Sequence, residues 1–273
     1  MNAEKFAAAV DFGRALIETR DLDPVYEAVA YAGLSGAERA RLCVAYWLFY
    51  HLGFSASASE QEGADFWRFL RNALAGAPRG AERRHFRGEK AAEALAILSL
   101  KYPRPESLVE ELFEPYSDEP LVPFSVVRNR ALRLPQFGPW IVWKLADMGE
   151  RCLGIPVDFS GADLGIYRDP RQGAALLMHG DWTVPISDDG LAAVVKRMSA
   201  ALAGLLAPPL DNRRPNVQEV ETVLCKFKSH VKGHYPLGKD SREVAEGLGP
   251  WDSYNGRRLL AALRDRCPGA RHE

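Results

Sequence analysis

The densest concentration of chemistry-bearing side chains lies near the C-terminus. Glu221 to Asp240 reads ETVLCKFKSHVKGHYPLGKD, which gathers Lys226, Lys228, His230, Lys232, His234, Tyr235 and Lys239 in a short stretch. On a helix, Lys226 and His230 share one face, four residues apart. Positive groups at that spacing could neutralise a multiply charged phosphate group. The plain alternative is a solvated basic helix end, which the helix dipole favours without any ligand. His230 and His234 also have the i, i+4 spacing of metal ligands, but Gly233 interrupts the helix and no HExxH pattern accompanies them. A second basic run, RGAERRHFRGEK from Arg79 to Lys90, offers Arg83, Arg84 and Arg87. Planar guanidinium groups can fork onto phosphates, and they can equally well decorate a wet surface.

A third segment carries a different signal. Leu132 to Asp163 reads LRLPQFGPWIVWKLADMGERCLGIPVDFSGAD. It has the form of a helix, a Leu-Pro-x-apolar-Gly turn, a second helix and then Val157-Asp158. Gly138 has no Cβ, so the backbone there can approach a ligand closely. The start of the second helix offers free N–H groups and a positive dipole end to an anion. Such a contact reads a phosphate backbone and not a base sequence. A Pro-x-x-Gly turn between helices is also a common packing device. Asp158 could be an ordinary helix N-cap, and Asp163 competes with it for any acid–base role.

One apparent motif is a decoy. Gly233 to Lys239 fits G-x-x-x-x-G-K, but Asp240 stands where a phosphate-binding loop needs Ser or Thr. The run also follows a Lys-rich helical segment instead of a buried strand. The stretch HLGFSASASE, from His51 to Glu60, is rich in small residues, which allow close approach of a helix or a ligand.

The elements that must position these groups are helical. Ser35 with Glu38 forms a capping box ahead of a run, CVAYWLFY, that is apolar nearly all round and predicts a buried central helix. Further helices are expected over Phe66–Leu74, Ala91–Leu100 and Val126–Leu134, the second ended by Pro103 and Pro105 and the third by Pro135. Pro139 suits the first turn of the next helix. Another starts at Asp188-Asp189 and runs from Leu191 to Leu206. Pro208 and Pro209 break it, and Asn216 caps the helix that follows, to about Ser229. The start of the chain reads as an amphipathic helix, not a secretion signal. A minor hairpin is expected near Trp182–Ile186. The fold class is all-α, two helical lobes around a cleft, organised as one domain over residues 1–273 with the hairpin near 126–153 and the basic segment at 216–242.

Composition limits the function classes. The chain has 273 residues, 47% hydrophobic and 26% charged, with a formal net charge of −1. It is long enough for a well-buried core and is not globally basic, so any nucleic-acid contact must use local patches. No run of eighteen apolar residues exists, so no membrane span is expected. The four cysteines, Cys43, Cys152, Cys225 and Cys267, include no CxxC pair. That excludes thiolate zinc and cysteine-held iron–sulfur sites and fits reduced thiols in a cytoplasmic protein.

The hairpin resembles that of the helix-hairpin-helix DNA glycosylase superfamily, whose pattern is Leu-Pro-Gly-apolar-Gly followed by Val-Asp. Leu134, Pro135 and Gly138 match, and Asp158 lies twenty residues past Gly138, where the superfamily's aspartate is expected. Gln136 replaces the first glycine. Trp140 stands where lyase-type members carry a lysine, which argues against a covalent imine. More narrowly, the segments YHLGFSASASE, PRGAERRHFRG, PQFGPW, PVDFSGAD and ETVLCKFKSHVKGHYPLGKD look like phage enzymes of thymine hypermodification. These are the alpha-glutamyl/putrescinyl thymine pyrophosphorylases, or amino acid:DNA transferases, and the likeness runs from about Tyr46 to Trp251.

The resemblance implies that an amine displaces pyrophosphate from the exocyclic methylene of 5-(pyrophosphoryloxymethyl)uracil in phage DNA. Asp158 would take the amine's proton or orient it. Lys226 and His230 would act with it, and Lys228, His234, Tyr235, Lys239, Arg83, Arg84 and Arg87 would bind the substrate and neutralise the leaving group. Gln136, Phe137, Gly138 and Trp140 would contact DNA, with the base flipped out of the stack. The expected partners are double-stranded DNA carrying the modified uracil and an amino acid or other amine. The protein is expected to act as a monomer in the host-cell cytoplasm. No cofactor is required. Magnesium could help carry pyrophosphate away, although no carboxylate cluster demands it. A monofunctional glycosylase of the same superfamily and a non-catalytic DNA-binding module are the alternative readings.

Overall fold

A computed structural model describes residues 1–115, 121–165 and 167–271. In chain order, helices α1 (Ala3–Glu18), α2 (Pro24–Tyr31), α3 (Gly36–Phe49), α4 (Leu52–Ser59), α5 (Gly63–Ala73), α6 (Gly88–Lys101) and α7 (Pro105–Phe113) precede a short strand, β1 (Val122–Pro123). Helices α8 (Phe124–Ala131) and α9 (Pro139–Arg151) lead to a second strand, β2 (Val157–Asp158). Then come α10 (Arg168–His179), α11 (Asp188–Leu202), α12 (Val217–Val231), α13 (Lys239–Leu248) and α14 (Tyr254–Arg266). The protein is all-α, and among the described residues none of these helices is long and apolar enough to cross a membrane.

Local signals set many of the helix starts. Ser35 accepts from the Glu38 N–H while Glu38 reaches back to the Ser35 N–H, which closes the expected capping box. Asn216 and Glu219 form a second one at α12. Pro139 sits in the first turn of α9, where its missing N–H costs nothing.

Four expectations need correction. Pro103 follows the end of α6 as expected, but Pro105 does not close a helical section, because it opens α7 by the same first-turn rule. The helix expected to run to Leu206 stops at Leu202, and the one expected over Val126–Leu134 spans Phe124–Ala131. No hairpin forms at Trp182–Ile186. There the Asp181 carboxylate accepts from both the backbone N–H and the hydroxyl of Thr183, each at 2.8 Å, and so makes a side-chain turn. The strand pairing lies elsewhere: β1 and β2 run parallel, with Val122 opposite Val157 and Pro123 opposite Asp158.

The chain divides into two compact units. One comprises Met1–Glu27, Phe159–Glu243 and Arg264–Glu273. In it, α1, α10, α11 and α12 pack on one another around Phe12, Leu16, Leu177, Met198, Val223 and Leu224. Helices α10 and α12 touch backbone to backbone, since a Cβ on Gly173 would lie 2.3 Å from the Leu224 carbonyl oxygen. The other unit comprises Ala28–Asp158 and Val244–Leu263. Its centre is α3, buried at every residue from Ala40 to Phe49 and packed against α4, α7 and α9. The small-residue stretch forms α4. Gly53 faces Trp251, whose ring leaves no room for a Cβ.

His51 gives this second unit a pH-sensitive cap. Its Nδ1 accepts the Phe54 N–H at 3.2 Å at the start of α4, and burial holds its pKa below the usual value of 6.5. A proton on Nδ1 would destroy the cap. The unfolded chain therefore binds that proton more readily than the folded one. The stability from this group is complete above about pH 6.5, falls as pH drops below it, and levels off beneath the lowered folded value. Urea unfolding of His51→Asn, which caps without titrating, should show a shallower loss between pH 7.5 and 5.5 than the unsubstituted protein. Parallel profiles for the two proteins would rule this out.

Candidate functional site

The unit centred on α3 carries the hairpin. Helices α8 and α9 are joined by a tight turn in which Gln136 takes the left-handed conformation, at φ 65°. This is the position at which the superfamily pattern has glycine, so glutamine meets here the conformational demand that glycine would meet without strain. Gly138 is the N-cap of α9, at φ −104° and exposed. Phe137 is turned inward and only 7% exposed. Trp140 is half-buried, with its ring edge-on to Tyr50 at 5.1 Å. Of the four hairpin residues expected to contact DNA, Gln136, Gly138 and Trp140 are therefore the ones that a ligand can reach.

Arg83 supports that turn from beneath. It is 1% exposed, at the end of a single 3-10 turn over Ala81–Arg83. Its Nη1 donates to the Gln136 carbonyl at 2.8 Å and its Nε to the Leu48 carbonyl at 3.1 Å. The guanidinium lies over the rings of Phe86 and Phe137, at 4.9 and 5.5 Å from their centroids. Burial lowers its pKa to about 10, so it remains cationic at neutral pH. His85 is held below its ordinary value by burial first and then by Arg83 and Arg84. Arg84 and Arg87 are exposed. Asp158, in the same unit, is the half-buried second residue of β2 and is not a helix cap.

The other unit carries the C-terminal cluster, where internal carboxylates absorb much of the positive charge. Lys226 Nζ lies 2.6 Å from the Asp240 carboxylate, 2.6 Å from the Asp21 carbonyl and 2.8 Å from the Tyr235 hydroxyl. An ammonium has three donors, and all three are committed. Lys228 pairs with Asp169 and donates to Gln172 at 3.1 Å. Lys239 reaches the His234 carbonyl at 3.2 Å and Glu243 at 3.7 Å. His230 stacks on Phe12 at 4.5 Å, and its Nδ1 lies 2.8 Å from the Tyr235 carbonyl. His234 is exposed. Gly238 is the second glycine of the false phosphate-loop motif, and its N–H is already used by Asp21, at 2.7 Å.

Asp21 organises this cluster, and the sequence gives no sign of it. It is fully buried. One carboxylate oxygen accepts from the Ser241 N–H (3.0 Å) and hydroxyl (2.6 Å). The other accepts from the Tyr235 hydroxyl (2.8 Å) and the Gly238 N–H. Burial, with Asp240 and Asp21 nearby, drives the Tyr235 hydroxyl far above its usual pKa, so it stays a neutral donor. Asp21 thus caps the start of α13 from the far end of the chain. In sequence it is one of two aspartates between α1 and α2. Asp163, in the same unit, is exposed and accepts the Gly165 N–H at 2.7 Å. Among the described residues no three His, Cys, Asp or Glu side chains gather as a metal ion would need.

Comparison with known proteins gives this geometry its context. The amino acid:DNA transferase family profile matches residues 17–235, most of the chain. A glycinyltransferase of Pseudomonas phage PaMx11 is 37% identical over 276 aligned positions, which cover 92% of each protein. A putrescinyltransferase of Delftia phage PhiW-14 is 30% identical over 249 positions, 88% of this chain and 77% of that one. Both relatives are named for moving an amine-bearing group, and both match along nearly all of this chain. The chain is a transferase and belongs to the amino acid:DNA transferase family.

Proposed function

We propose that this protein joins the amine of an amino acid, glycine in the first instance, to the exocyclic methylene of 5-(pyrophosphoryloxymethyl)uracil in DNA. The amine nitrogen attacks the methylene carbon and the carbon–oxygen bond to pyrophosphate breaks. Pyrophosphate leaves with the bonding pair, and the nitrogen gives up a proton. The observation that carries this reading is the near full-length match to two relatives named for different primary amines, the more similar being the glycinyl one. What the two groups share is a nucleophilic nitrogen.

The hairpin supports DNA as the acceptor. Its turn joins α8 to α9 and puts an exposed glycine at the N-terminus of α9, where N–H groups and the dipole suit a phosphate. Asp158 is the proposed proton acceptor. It is partly accessible, and its backbone is held by the pairing with β1, so the carboxylate starts from a fixed position. Lys226, Lys228 and Tyr235 are committed to Asp240, Asp169 and Asp21, and on this reading they hold the fold of the segment that carries His230, His234 and Lys239.

Nucleoside mass spectrometry tests the proposal. DNA carrying the pyrophosphorylated base is incubated with the protein and an amino-acid mixture, then digested. The expected result is a glycine adduct of thymidine, with one pyrophosphate released per adduct. Abasic sites in place of the adduct would make the protein a glycosylase. Unchanged DNA with retained binding would make it a binding module. Either result overturns the proposal.

A further inference from the structure

We infer that the cavity of about 290 Å³ walled by Glu82, Arg83, His85, Trp140 and the first turn of α9 is a seat for phosphoryl oxygens, and that its ligand is the diphosphate leaving group. The anion seat stands on its own observations, whereas the choice of diphosphate rests on the proposed reaction.

The first observation is the state of Arg83. Among the described residues four lysines or arginines are buried: Arg41, Arg83, Arg151 and Lys228. Arg41 has Glu106 at 2.6 Å, Arg151 has Asp147 at 3.6 Å, and Lys228 has Asp169. Among the described residues Arg83 has no carboxylate partner. Its hydrogen bonds go to two carbonyls and, at 3.4 Å, to the His85 ring Nε2, and its buried Nη2 has no hydrogen-bond partner at all. Burying a cation without a counter-charge is costly, and a protein that keeps one beside a cavity keeps an unfilled demand for an anion.

The second observation lies at the start of α9, which also lines the cavity. Gly138 caps α9 without any side-chain cap bond, and a Cβ built on it would meet nothing within 4 Å. Its φ of −104° suits any residue. Neither backbone strain nor internal packing therefore calls for glycine here. Open space in front of the unpaired N–H groups of a thirteen-residue helix does have a use if a ligand must come close.

Depth favours the diphosphate over a backbone phosphate. A phosphodiester in a duplex stays at the surface, whereas Arg83 is recessed. A terminal diphosphate on a methylene arm can enter the cavity that Arg83 lines and fill a volume several times that of one water. As the carbon–oxygen bond breaks, its electron pair settles on the diphosphate oxygen. A desolvated guanidinium and a helix N-terminus stabilise that charge more strongly than water would. Glu82 is the one carboxylate in the wall and opposes the anion.

Calorimetry on the full chain tests the seat, with inorganic pyrophosphate and an unmodified duplex as probes. Arg83→Met and Gly138→Val should each weaken pyrophosphate binding about tenfold or more, as expected for lost charge-assisted contacts. Gly138→Val places its side chain in open space at an ordinary φ, so it keeps the test valid if Arg83→Met fails to fold. Glu82→Gln should tighten binding by about two- to fivefold, because one repelling charge goes. If the variants instead leave pyrophosphate binding intact, weaken duplex binding and cut its salt slope by about one, the anion is a backbone phosphate and the diphosphate assignment falls. No change with either probe overturns the seat itself. Pyrophosphate binding that obeys the prediction in a protein that makes no amine adduct would sink the proposed reaction and leave the seat standing.

Discussion

Asp21→Ala is expected to destabilise the protein by about 3–5 kcal/mol, a loss large enough to leave many domains largely unfolded at physiological temperature. The carboxylate is fully buried and accepts four hydrogen bonds, from Tyr235, Gly238 and twice from Ser241. Bonds to a charged group are each worth about 1.5–3 kcal/mol, and a donor left buried without a partner costs a further 1–3 kcal/mol. The substitution would strand several donors at once. It would also put Lys226 and Asp240 in a site designed around a second carboxylate. Asp21→Asn should be nearly as harmful, because an amide NH₂ would face donors. Urea unfolding followed by circular dichroism measures the loss. A change under about 1 kcal/mol would mean that the segment from Tyr235 to Ser241 is held by something other than Asp21.

Asp158→Asn is expected to lower the rate of adduct formation by about 10²–10⁴-fold, the range of a lost general base, with duplex affinity unchanged. Asparagine keeps the shape and the strand pairing with Pro123, so the backbone should not move. The discriminating readout is the pH profile. Raising pH deprotonates the free amine in solution, so the variant should regain part of its rate at high pH while the unsubstituted enzyme gains little. A flat deficit at every pH would assign Asp158 to positioning and not to proton transfer. Full turnover in the variant would remove it from the chemistry and move attention to Asp163.

The two predictions differ in how visible their residues are beforehand. Asp158 stands out in the sequence because a turn, a helix and an apolar residue precede it at a recognisable distance. Asp21 has no such frame, since its partners lie more than two hundred residues away.

Within the sequence, what was legible is what the backbone decides over four or five residues. The capping box at Ser35, the cap at Asn216, the first-turn proline at Pro139 and the all-round apolar run of α3 each act through neighbours that the chain supplies itself. The hairpin could be read for the same reason, and so could the false phosphate loop. The family could be read because its motifs are spread along most of the chain. The meaning of the charged residues was decided by tertiary structure alone. Lys226 reads as a free cation until the chain folds back over 205 residues to bring it the Asp21 carbonyl and the organised Asp240 carboxylate. Arg83 reads as one of three equivalent surface arginines, yet folding buries it between carbonyls and rings while Arg84 and Arg87 stay exposed. Phe137 reads as a candidate DNA contact and ends in the core beneath that guanidinium. The physical reason is common to all three. A backbone conformation depends on local sterics and hydrogen bonds, whereas the work a charge can do depends on its solvent and its counter-charge, and distant parts of the chain supply both.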